Sequence, residues 1–117
     1  MKEESIANLL RIFIGESDHF NGRHLYEYIV EYLKTNKYSG VTVLRGIEGF
    51  GHASVIHKSD ILDLSSDLPI IIEVVDTEEK VKALKDIIDK ENWIGSGLIT
   101  EEKVKIVRYG KNNKNNK

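Results

Sequence analysis

The sequence predicts an α+β domain in which one antiparallel sheet of four strands carries two helices on one face. Two segments, beginning near Leu25 and Val81, repeat apolar residues at helical spacing. Four others are short runs of β-branched and apolar residues, the strongest being IIIEVV at 70–75. In chain order these read strand, helix, strand, strand, helix, strand, a pattern that closes into two layers around one core.

Composition bounds the answer. A chain of 117 residues with 40% hydrophobic and 31% charged residues is one soluble domain, long enough to bury a core without staples. Cysteine is absent, which excludes disulfides, thiolate metal sites and cysteine nucleophiles. Lys and Arg number 17 against 19 Asp and Glu, so the domain has no basic footprint for nucleic acid or an anionic membrane. No apolar run approaches the ~20 residues that span a bilayer. The N-terminal MKEESIANLL has acids where a secretory signal has bases, and the expected location is cytoplasmic.

The first strand is read at 8–15, NLLRIFIG, closed by a glycine. Residues 16–22, ESDHFNG, are polar and turn-rich. From Arg23 to about Lys37 the period becomes helical, with Leu25, Ile29 and Leu33 in one row and Tyr26 and Val30 beside them. Ser39 and Gly40 end that helix, and Val41 opens the second strand. The third strand follows Pro69. Asp76 with Glu79 three residues on has capping-box spacing, and Val81, Leu84 and Ile88 trace the second helix to about Asn92. Trp93 and Ile94 are expected to tuck under its end. Gly95, Ser96 and Gly97 make a turn, and KVKIVRY at 103–109 alternates as a half-buried strand. The domain is expected to occupy 1–109, and the polar tail 110–117, GKNNKNNK, to be disordered.

This order is the ferredoxin-like βαββαβ pattern. Helices cover one face of such a sheet, yet Ile12 to Ile14 and Ile70 to Ile72 are apolar at successive positions, so both faces call for burial. A second copy of the chain would cover the open one, and an oligomer is expected.

The stretch 40–57, GVTVLRGIEGFGHASVIH, is the candidate for function. Gly46, Gly49 and Gly51 lie close together, with Arg45 directly before them and Phe50 inside the group. Glycines in such a cluster allow unusual dihedrals or a close approach to the main chain. The spacing does not match G-x-G-x-x-G, and no P-loop lysine is present. Taken alone, a strand end with turns and a loop holding a phosphorylated, ring-bearing ligand both remain open. A guanidinium such as Arg45 suits either a salt bridge or a phosphate. Arg11, inside the first strand, is expected to pair with Glu73. The histidines, His19, His24, His52 and His57, form two pairs five residues apart, a spacing that suits neither a helical zinc pair nor one strand face, and they are read as surface or hydrogen-bonded groups with no metal site. Ser17, Asp18 and His19 have triad residue types, but triads assemble from separate elements.

Two blocks resemble the PII signalling proteins: GVTVLRGIEGFG at 40–51, similar to their second strand and its Gly-Phe-Gly ending, and DLSSDLPIIIEVVDTEEKVKALKDII at 63–88, similar to their third strand and second helix. A closer resemblance is to an uncharacterised family of short PII-like proteins, a domain of unknown function, at LRIFIGESD, LYEYIVE, VLRGIEGFG, SVIH and LSSDLPIIIEVVDTEEK. The resemblance implies a homotrimer with ligand clefts between subunits, binding ATP, ADP, AMP or cyclic AMP as ligand and requiring no cofactor. It implies a nucleotide-binding set of Thr42, Arg45, Gly46, Gly49, Phe50, Gly51, Gly97 and Arg108, and a loop after the second strand that docks onto a target protein, with a membrane transporter or channel among the candidates. The implied role is regulatory rather than enzymatic, with no nucleic acid and no membrane insertion. Departures are visible too. Ser96 replaces the acid of the PII Gly-Asp-Gly, Leu98 replaces the lysine after it, and Arg108 is the only candidate for the paired C-terminal arginines. No tyrosine lies between Gly51 and Pro69. Two other readings remain: a metal-binding trimer using His52 or His57, and a small acylphosphatase-like hydrolase, for which no base or nucleophile stands beside the glycines.

Overall fold

The computed structural model describes residues 2–50, 56–58 and 67–110, with the backbone alone at 50 and 56–58. In order the elements are β1 (Lys2–Gly15), β2 (His19–Phe20), β3 (Arg23–His24), α1 (Leu25–Thr35), β4 (Val41–Arg45), β5 (Glu48–Phe50), β6 (Ile56–Lys58), β7 (Pro69–Asp76), α2 (Glu78–Lys90) and β8 (Leu98–Tyr109). The main sheet has the order β4-β7-β1-β8 with every neighbour antiparallel, as the ferredoxin-like reading expects.

The core lies between this sheet and the helices. Side chains alternate across a strand, so Leu10, Ile12 and Ile14 of β1 share a face with Ile70, Ile72 and Val74 of β7, and all six are buried. Against them pack Leu25, Ile29 and Leu33 of α1 and Val81, Leu84 and Ile88 of α2, the rows the helical period predicts. Trp93 completes the layer at 2% exposure, its ring meeting Tyr28 and Tyr32 edge-on at centroid distances of 5.3 and 5.0 Å.

Both helices stop in the same way, and not at glycine. Lys37 (φ 64°) and Asn92 (φ 55°) take the left-handed conformation that ends a helix. The next residue then donates back into the last turn, Tyr38 N to Leu33 O at 3.0 Å and Trp93 N to Ile88 O at 3.1 Å. That bond brings Trp93 under α2. Lys80 Nζ donates to the carbonyls of Asn36 and Lys37 at 2.9 and 3.0 Å, satisfying the end of α1 from the neighbouring helix.

Four local expectations are corrected. The first strand begins at Lys2 rather than near residue 8, because KEESIA pairs with the end of β8 as a two-stranded ribbon. Its acids face a strand with basic residues, as at Glu3 opposite Arg108, so it lacks the apolar signal by which strands are recognised. The last strand correspondingly starts at Leu98. Residues 19–24 are not only a turn but a hairpin, β2 with β3, closed by Asn21 (φ 55°) and Gly22 (φ 76°). Two successive positive φ values at Asn-Gly make the type I′ turn that matches strand twist. Finally, Thr77 caps α2, its Oγ1 accepting from Lys80 N at 3.1 Å. Asp76 is buried and instead accepts from Ser39 N (2.7 Å) and Thr77 N (2.8 Å), tying the end of β7 to the entry of β4.

Candidate functional site

The face of the sheet away from the helices is organised in cross-strand rows. The register aligns Leu44, Ile71, Phe13 and Leu98 across all four strands. The outer two are left 45% and 59% exposed. Thr42, Glu73, Arg11 and Thr100 form the adjacent row. In its centre Arg11 donates to Glu73 at 2.9 Å and to Glu102 at 3.1 Å, the pairing with Glu73 that its place in the strand predicts. The hydrogen bond to Glu73, then that to Glu102, raises the Arg11 pKa above its ordinary value and holds it charged. A charge bracketed by two carboxylates is compatible with burial of this face, whereas a lone charge is not.

Along one margin of this face, Thr42, Glu73 and Val75 with Ile106, Val107 and Arg108 line a groove of about 380 Å³. Thr42 and Arg108 come from opposite edge strands, and the β1–β8 ribbon brings them to one place. The groove thus mixes a hydroxyl, a guanidinium and the Glu73 carboxylate with apolar Val75, Ile106 and Val107, and the hydroxyl and guanidinium suit a phosphorylated ligand. Among the described residues Arg108 has no carboxylate within ion-pair distance.

The other expected site residues gather at the opposite end of β4. Gly46 N donates to Pro69 O at 2.7 Å. A Cβ at Gly46 would lie 2.8 Å from Pro69 Cγ, and one at Gly49 3.2 Å. The packing of this segment over Pro69 therefore disfavours a side chain at Gly46 and leaves only a tight fit for one at Gly49. Arg45 pairs with Glu16 at 3.3 Å and keeps its side chain 60% exposed. Gly49 and Phe50 lie in β5, whose backbone pairs with β6 at Gly49–His57 and Phe50–Ile56. Gly51 and His52 lie outside the described residues. Gly97 stands next to β8, where a Cβ would come 2.7 Å from Phe13 O, and it lines a separate groove of about 340 Å³ with Asp89, Asn92 and Leu98. The β4 and β8 edges are three strand spacings apart, roughly 14 Å. One chain therefore unites Thr42 with Arg108, and Arg45 with Gly46 and Gly49, while Gly97 stays on the far edge.

Two arrangements lie outside the expectations set out from the sequence. His19 lies directly opposite His24 in the β2–β3 hairpin, with ring centres 4.6 Å apart. The Asn21-Gly22 dipeptide is the signal that gives this register, since a two-residue loop makes positions five apart face each other. The types that suggested a triad are spent on the backbone: Asp18 accepts from Gly15 N at 3.0 Å, and His19 Nδ1 bonds Ser17 O at 2.6 Å. The second arrangement is Glu101, which accepts from Lys85 and Asn8, each at 2.5 Å. Lys85 first and Asn8 second lower its pKa. Among the described residues no three or more His, Cys, Asp or Glu side chains gather as metal ligands, and no helix is long and apolar enough to cross a membrane.

The sheet order, its two helices on one face and the β-arm after the second sheet strand define a PII-like domain. The chain belongs to the DUF190 family, described as "Uncharacterized ACR", whose profile matches residues 7–106. Among curated relatives, a UPF0166 protein of Aquifex aeolicus (strain VF5) is 41% identical over 100 residues, covering 85% of this chain and 91% of that one. A UPF0166 protein of Methanocaldococcus jannaschii is 44% identical over 75 residues, covering 64% of this chain and 68% of that one. Solved structures with the same fold include the nitrogen regulatory PII-like protein CPII of Thiomonas intermedia K12. Bound to ADP and bicarbonate it superposes with a TM-score of 0.65 at 17% identity, over 89% of this chain and 91% of that one. Bound to ADP, AMP and bicarbonate it gives 0.64 at 18% identity, over 92% and 99%.

Proposed function

We propose that this protein is a non-enzymatic PII-like regulator, a homotrimer that binds an adenine nucleotide between subunits and reports it through the loop after the second sheet strand, in the segment following Gly51. The observation that carries the reading is the groove where Thr42 and Arg108 meet, at the margin of an apolar sheet face that a second copy would cover. The fold shared with CPII, whose structures hold ADP and AMP, supports the choice of ligand by analogy of fold. In this reading Arg108 takes a phosphate, Thr42 donates to the ligand, and the main chain at Gly49, Phe50 and Gly51 approaches it. Arg45 leaves Glu16 to reach an anion only when the ligand is present. Gly97 joins from the edge of a neighbouring copy, because its own chain holds it apart from Gly46 and Gly49.

A ligand that contacts only one arrangement of the β5–β6 arm shifts the population of that arrangement, and a target protein reads the shift. Leu98, 59% exposed where PII proteins place a lysine, removes one phosphate-binding cation. The reading therefore favours ligands with fewer phosphates, AMP or ADP, over ATP. Calorimetric titration with ATP, ADP, AMP and cyclic AMP tests it. Binding of at least one, weakened by Arg108→Ala, is expected; no binding of any at millimolar concentration contradicts it. The metal-binding alternative rests on His52, outside the described residues, and His57, described by its backbone alone, and no observation favours it at those positions.

A further inference from the structure

We infer that the β2–β3 hairpin presents a two-histidine site for a divalent transition metal, formed by the Nε2 atoms of His19 and His24. The hairpin places the residues as a directly opposed cross-strand pair, and the I′ turn at Asn21-Gly22 fixes that register. Each ring is also fixed in its tautomer. His19 Nδ1 lies 2.6 Å from Ser17 O, and His24 Nδ1 lies 3.1 Å from Glu16 O. A carbonyl oxygen only accepts, so each Nδ1 carries the hydrogen and donates it. In the neutral ring the lone pair is then on Nε2. A backbone carbonyl that orients the ring through one nitrogen and leaves the other free is the usual support of a metal-ligating imidazole.

The spacing fits as well. Two imidazoles bound at right angles to one metal, at about 2.0 Å per nitrogen, put their ring centres about 4.5 Å apart. The observed separation is 4.6 Å, with the ring planes 35° apart. For a site of imidazole nitrogens and water, the divalent first-row affinity order places Cu²⁺ ahead of Ni²⁺ and Zn²⁺. His19 is exposed and His24 half-buried, so a metal has an open approach from solvent. No third protein ligand stands with the pair among the described residues, and water completes the coordination. The Tyr26 ring flanks His24 at a centroid distance of 5.7 Å and restricts its rotation.

The site shares no ligating residue with the proposed nucleotide-binding set, and its test separates the two. Untagged full-length protein is titrated with Cu²⁺, and in parallel with Ni²⁺ and Zn²⁺, while electron paramagnetic resonance counts nitrogens on the bound copper. A single Cu²⁺ per chain with two-nitrogen ligation is expected. It should weaken by at least about tenfold in His19→Ala and in His24→Gln, and persist in the His52→Ala, His57→Ala double variant. Copper should also raise the thermal midpoint of the unmodified chain and not that of His19→Ala. Since His24 stands at the start of α1, circular dichroism checks that its variant folds, and if it does not, the exposed His19 decides alone. Copper binding unchanged in His19→Ala, no binding to the unmodified chain at a tenfold excess of metal, or loss only in the His52 and His57 variant would overturn the assignment.

Discussion

Two glycines separated by a single serine show how little a residue type says without its surroundings. Gly95 and Gly97 belong to one turn, but a Cβ at Gly95 meets nothing within 4 Å while one at Gly97 would lie 2.7 Å from Phe13 O and 3.0 Å from Ile94 Cγ2. Gly97→Ala is expected to cost about 1–3 kcal/mol, because a backbone oxygen in the β1 ladder cannot move aside freely. Gly95→Ala should stabilise by about 0.4–1 kcal/mol through the unfolded chain. Urea midpoints at constant m-value distinguish them. A pH series isolates Glu101 in the same way. Its pKa is lowered in the folded state by Lys85 and then Asn8, so its stabilisation is complete above the unfolded carboxylate value of about 4.3 and is lost as pH falls through the lower folded value. The stability difference between the unmodified chain and Glu101→Gln should be largest near neutrality and shrink steadily below about pH 4. A difference that grows on acidification would contradict the assignment.

Among the elements, the helices and central strands were readable because burial repeats at 3.6 or 2 residues. Leu25, Ile29 and Leu33, and Val81, Leu84 and Ile88, are the buried rows that the period marks. What the residues hid were elements stabilised by something other than an apolar face. The ribbon at 2–7 is held by pairing with β8, the hairpin at 19–24 by turn geometry, and the helix ends by Lys37 and Asn92, where glycine is the usual marker. Trp93 depends on the last of these. Its place under α2 follows from the bond of its amide to Ile88 O, and its ring then joins Tyr28 and Tyr32 to seal the helical layer. Trp93→Ala should lose about 3–5 kcal/mol, followed by circular dichroism because the chain has a single tryptophan.

At the scale of the molecule, the covered and uncovered sheet faces differ in kind. The helix-covered face is closed within one chain. The other carries the row Leu44, Ile71, Phe13, Leu98 beside a charge triad of Arg11, Glu73 and Glu102. Runs of apolar residues at successive strand positions had already pointed to burial on both sides. Periodicity and spacing do not show the groove, since Thr42 and Arg108 are far apart in the chain; the family resemblance alone put them in one set, and they line one groove in the folded chain. If this face joins copies of the chain, Leu98→Asp should lower the mass measured by sedimentation equilibrium from a trimer to a monomer while circular dichroism is unchanged. An unaltered mass would place the interface elsewhere. The most direct measurement of the whole account is a crystal structure of the protein grown with ADP. It is expected to show the nucleotide between two copies, with a phosphate on Arg108 and the adenosine beside the main chain at Gly49. A nucleotide held entirely within one copy, or away from both the Thr42–Arg108 groove and Gly49, would contradict it.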